Sequence, residues 1–76
     1  MQTTIDKLQK GQKGTIISFD IEMIPLKLIE MGCLPENEVE VVQIAPLGDP
    51  MYLTINDTSL AIRKEIASRI FVETHP

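Results

Sequence analysis

The sequence predicts a mainly β fold: a small, closed or nearly closed barrel of about five short strands with one inserted helix. Three observations predict it. Short runs rich in β-branched residues recur and are separated by Gly, Pro and Asn. One segment, residues 21–31, carries helical rather than alternating spacing. The chain has 76 residues, enough for one small core that every strand has to share. Closing the sheet around that core removes edges that an open sheet would expose.

The elements follow in order. Residues 4–8 suit a single helical turn with Ile5 and Leu8 facing inward. Gly11 and Gly14 punctuate a turn. Residues 14–19 read as the first strand, through Thr15, Ile16, Ile17 and Phe19. In 21–31, helical spacing lines up Ile21, Ile24, Leu28 and Met31 as a core stripe. Pro25 fits the first turn of that helix, which puts its start near Met23 or Ile24, and Gly32 fits a left-handed exit from it. Pro35-Glu36-Asn37-Glu38 is a turn in which Asn37 can take the left-handed position.

Residues 38–45 alternate, but Val42 and Ile44 reverse the phase, which predicts a bulge or a strand end buried on both faces. Pro46, Gly48 and Pro50 then shape a stiff connection to a strand over 51–56. There Met51, Leu53 and Ile55 alternate with Tyr52 and Thr54. Asn56-Asp57-Thr58 is a hairpin turn into a strand over 59–62. Residues 63–69 allow one helical turn with Ile62 and Ile66 inward, 70–73 close the sheet, and His75 and Pro76 fray. No linker, repeat or low-complexity stretch divides residues 1–76, so a single domain is expected.

Composition narrows the function classes. Hydrophobic residues make up 43% and charged residues 24%, as in folded proteins. A net charge of −4, with Lys and Arg scattered, argues against nucleic acid. No apolar run is long enough to span a bilayer, so no direct membrane insertion is expected. Met1-Gln2-Thr3-Thr4 has neither the basic nor the apolar region of a signal peptide. The single cysteine, Cys33, allows no internal disulfide and fits a reducing cytoplasm.

No motif identifies chemistry. Cys33 lacks a second cysteine or a nearby histidine and reads as a small hydrophobe. His75 reads as a solvated tail residue. Glu36, Glu38 and Glu40 form a carboxylate row that reads as a solvated strand face. No metal site, cofactor or catalytic residue is expected, and no enzyme. The helix offers more. Met23, Leu26 and Ile29 recur at spacings of three, away from the core stripe. Either they are a second buried flank or they form a contact surface. With the basic Lys27 between them, Met23, Leu26, Lys27 and Ile29 are the candidate partner-binding residues.

The order of several pieces resembles the FeoA family, the small accessory proteins of bacterial ferrous iron uptake. The pieces are residues 8–14, Leu28-Ile29-Glu30-Met31-Gly32-Cys33-Leu34-Pro35, residues 41–50 ending in Ala45-Pro46-Leu47-Gly48-Asp49-Pro50, and Leu60-Ala61-Ile62-Arg63 followed by Ala67 and Ile70-Phe71-Val72. Two positions depart from the family pattern. Glu36 stands where a glycine usually follows the proline, and Ile24, Pro25 and Leu26 stand where arginines commonly open the helix. The resemblance implies an SH3-like barrel in the cytoplasm, a non-catalytic accessory acting with the cytosolic part of the FeoB transporter. The alternatives are a small transition-metal-binding or sensing domain and a structural barrel that self-associates into a homo-oligomer.

Overall fold

The computed structural model describes residues 1–74, so the expectations for His75 and Pro76 lie outside the described residues. Six strands form one antiparallel sheet: β1 (Gln2–Thr4), β2 (Lys13–Phe19), β3 (Glu38–Ile44), β4 (Met51–Ile55), β5 (Thr58–Ile62) and β6 (Ile70–Glu73), in the order β1-β6-β2-β3-β4-β5. A 3₁₀ turn, Ile5–Lys7, follows β1; helix α1 (Leu26–Glu30) lies between β2 and β3, and helix α2 (Lys64–Ala67) between β5 and β6. The 3₁₀ turn packs against α2, while β1 and β5 end the hydrogen-bonded ladder without pairing to each other. The barrel is therefore nearly closed, bridged by helical turns rather than by a sixth ladder.

One strand more than expected is present. β1 has no apolar alternation to reveal it; it forms because β6 offers partners, Gln2 opposite Glu73 and Thr4 opposite Phe71. The Met1 ammonium bonds the Glu73 carboxylate, and the Met1 carbonyl accepts from both the backbone N–H and the hydroxyl of Thr74.

The alternation in β4 is as read: Met51, Leu53 and Ile55 are buried, and Tyr52 points out. In β3, Val41 opposes Leu53 and Gln43 opposes Tyr52. Val42 is left unopposed, which is the bulge its reversed phase foretold. A similar irregularity at Ile17 shifts the register of β2 against β6. Asn56 and Asp57, with φ of 51° and 61°, make the two-residue turn between β4 and β5. The inner faces meet in one core that includes Ile5, Ile16, Val39, Val41, Leu53 and Ile70.

The helix departs most from expectation. Instead of starting near Met23 or Ile24 and running to Met31, it covers only Leu26–Glu30. Pro25 caps it with an extended ψ of 138°, and the residue before a proline is itself disfavoured in the helical region. Residues 20–23 form a separate turn, in which the Asp20 carboxylate accepts the Glu22 N–H at 3.3 Å and the Asp20 carbonyl the Met23 N–H at 2.9 Å. The stripe therefore breaks. Ile24 and Leu28 are buried, Met31 is half-buried, and Ile21 is 69% exposed rather than in the core. Gly32 exits left-handed as expected, at φ 107°, but the left-handed residue of the next turn is Glu36, at φ 76°, not Asn37.

Candidate functional site

Two regions carry exposed chemistry. The first is the stretch from the residue-20 turn into α1. Met23 is 40% exposed and Leu26 68%. Lys27 is exposed beside Leu26. Ile29 differs from these three: it is half-buried and packs against the core, so it supports the surface from below. The four candidates thus do not form one helix face, because Met23 belongs to the preceding turn. Two further apolar residues add to the region, Ile21 and Leu34, the latter 41% exposed. The helical spacing that placed Ile21 inside concealed it. Asp20, a turn former one residue earlier, was the signal that separated it from the helix.

The structure fixes this stretch at both ends, beginning with the Asp20 N–H, which donates to the Arg69 carbonyl at 3.2 Å. Cys33 N–H donates to the Leu28 carbonyl at 3.0 Å, and the Asn37 side-chain N–H donates to the Gly32 carbonyl at 2.7 Å. Leu34 follows in the turn toward β3. The apolar side chains are thus presented on short, pinned segments rather than on a mobile loop.

The second region is a cleft of about 280 Å³ lined by Glu38, Glu40, Thr54, Asn56 and Asp57. Glu36, expected to continue the carboxylate row, lies in the turn before β3 and is not part of it. Among the described residues, no group of three His, Cys, Asp or Glu is placed to hold a metal ion. Cys33 is 1% exposed, and burial pushes its thiol up to about 11, so at neutral pH it is a protonated, apolar side chain. The described helices include none long and apolar enough to cross a membrane.

A nearly closed six-stranded antiparallel sheet with short bridging helices is a small SH3-like barrel, and one whose only thiol is buried and protonated. A family model for the FeoA domain matches residues 3–74, and the chain belongs to that family. The family is one of non-catalytic accessory domains.

The relatives agree. An Fe(2+) transport protein A/Fe(2+) transporter FeoB fusion protein from Porphyromonas gingivalis is 34% identical over 70 residues, a match covering 91% of this chain and 8% of that protein. This chain therefore corresponds to a small part of that relative. The crystal structure of an iron uptake regulatory protein, FeoA, superposes with a TM-score of 0.84 at 25% identity, covering 99% of both chains. The Stenotrophomonas maltophilia FeoA, an SH3 domain protein complexed with zinc, gives a TM-score of 0.80 at 25% identity over 93% of this chain and 89% of that one.

Proposed function

We propose that the domain is a cytoplasmic accessory of bacterial ferrous iron uptake that docks on the cytosolic part of the FeoB transporter. The observation that carries this reading is the Porphyromonas gingivalis relative, in which an FeoA segment and FeoB are one chain. Fusion holds two modules at an effective concentration on the order of millimolar, which makes a weak contact sufficient.

Met23, Leu26 and Lys27, supported by Ile29, are the proposed docking residues. Full burial of a large apolar side chain is worth about 1.5–3 kcal/mol, and association costs about 4 kcal/mol or more before any gain appears. Two or three exposed apolar anchors therefore support a weak, reversible contact. That strength suits an accessory that regulates rather than a permanent subunit.

The test is calorimetric titration of the protein into the soluble cytosolic part of FeoB, repeated with Leu26→Glu. The reading expects measurable binding that the variant weakens by about tenfold or more, the equivalent of 1.4 kcal/mol. No binding by the unmodified protein, or equal binding by Leu26→Glu, contradicts it. The metal-binding alternative draws support from the zinc complex of the Stenotrophomonas relative. Here the carboxylates of the cleft are the groups it would need, and docking through the apolar stretch has the broader support.

A further inference from the structure

β5 is an edge strand, and the helical turns that bridge the gap beside it leave its outward backbone groups without partners among the described residues. Natural edges are blunted by charges, prolines, bulges or shortness. β5 reads Thr58-Ser59-Leu60-Ala61-Ile62: five residues, no charge, no proline, and an unbroken register along β4. β1, at the other end of the sheet, is three residues long. Because Ile55 and Thr58 flank a two-residue turn, Thr58, Leu60 and Ile62 aim their backbone groups at β4. Ser59 and Ala61 aim theirs outward. Among the described residues, no backbone hydrogen bond beyond the β4 ladder reaches either of them, and both side chains are exposed.

We infer that β5 pairs antiparallel with β5 of a second copy of this chain, centred on Leu60. A twofold axis at Leu60 sets Ser59 opposite Ala61 of the other copy, twice, so the outward N–H and C=O groups of both residues find partners. The same axis brings Asp57, in the turn just before β5, toward Arg63, just after β5, of the other copy, again twice. Both are exposed, and neither takes part in the ion pair among the described residues, which joins the Met1 ammonium to Glu73. Ser59 and Ala61 share one side of β5, the side where Thr54 faces Ser59 and Glu40 faces Thr54, and Asp57 reaches that side from the turn, where it lines the cleft. The arriving guanidinium therefore meets Asp57 at the rim of the cleft lined by Glu38 and Glu40. The edge is complementary to itself in hydrogen bonding and in charge, and a second copy is the occupant that supplies both at one register.

This inference does not depend on FeoB, since it concerns the purified protein alone. Sedimentation velocity up to about 1 mM reads it directly, because weak surface pairing falls in that range. The expected result is a monomer–dimer equilibrium. Ala61→Pro removes an outward N–H at a position where an edge strand tolerates proline, and should leave only monomer with a retained circular dichroism melt. Arg63→Gln and Asp57→Asn should each weaken dimerisation by about three- to tenfold, and salt should do the same to the unmodified protein. If Ala61→Pro does not fold, amide exchange of the unmodified protein decides: protection of Ser59 and Ala61 should rise with concentration. A protein that stays monomeric at about 1 mM overturns the inference, as does a dimer that forms without added protection at Ser59 and Ala61.

Discussion

Glu36 occupies a backbone conformation that disfavours its own side chain. Its φ of 76° lies in the left-handed region, which costs a non-glycine residue roughly 1–2 kcal/mol. The neighbours hold it there. Glu36 N–H donates to the Ile16 carbonyl at 2.8 Å, and the Asn37 carbonyl accepts the Ile16 N–H at 2.9 Å. Asn37, the better left-handed residue by type, is unavailable because its amide serves the Gly32 carbonyl. That assignment depends on a contact five residues away, which a local rule about asparagine cannot see. Glu36→Gly should therefore raise stability by about 1 kcal/mol, seen as a higher denaturation midpoint; an unchanged midpoint would mean the turn relaxes without cost. Cys33 was legible as a small hydrophobe, and its burial gives it a pH signature. Its thiol is raised from 9.0 to about 11, so the folded state holds the proton more tightly than the unfolded chain. That contribution is complete below about pH 9 and is lost as pH rises toward 11. Denaturation midpoints measured across this window should fall for the natural protein and stay flatter for Cys33→Ala.

The hairpin and the helix show what a proline can and cannot reveal about an element. Pro46, Gly48 and Pro50 foretold a shaped connection, and the structure closes it with the Gly48 N–H on the Ala45 carbonyl at 2.7 Å and the Ala45 N–H on the Pro50 carbonyl at 3.1 Å. The Asp49–Pro50 peptide is cis. The Asp49 carboxylate also accepts the Lys64 N–H at 3.0 Å, which ties the hairpin to the first turn of α2. Gly48 has φ 88°, so Gly48→Val should destabilise the domain by on the order of 1 kcal/mol or more in a thermal melt. Pro25 was also read as helical, but in the first turn of a helix starting earlier. It acts instead as the boundary, because Ile24 before it cannot easily turn helical. The resulting short α1 leaves Leu26 at its exposed start. Leu26→Glu should then shift the melting midpoint little, within about 0.5 kcal/mol of stability. A large loss would place Leu26 in the core and remove the proposed contact.

At the scale of the whole molecule, the barrel was legible because strands that share one core must alternate. β3, β4, β5 and β6 follow their alternation closely, and the Val42 bulge showed as a break in it. β1 was not legible, since Gln2, Thr3 and Thr4 carry no pattern and form a strand only by pairing with β6. The candidate surface was half legible. Spacing set Leu26 apart from the core stripe, yet it also placed Ile21 inside and left Ile29 open between a buried flank and a contact surface, because it assumed one long helix. What remains is an exposed apolar stretch, pinned on a rigid barrel, in a family joined to FeoB in at least one relative. The central claim is that this stretch meets the transporter. Amide and methyl NMR of the isotope-labelled protein, titrated with the soluble cytosolic part of FeoB, tests it most directly. The account predicts saturable shifts concentrated at Met23, Leu26 and Lys27, with smaller changes at Ile29 and none across β5. Shifts that map to another face, or none at saturating transporter domain, would contradict it.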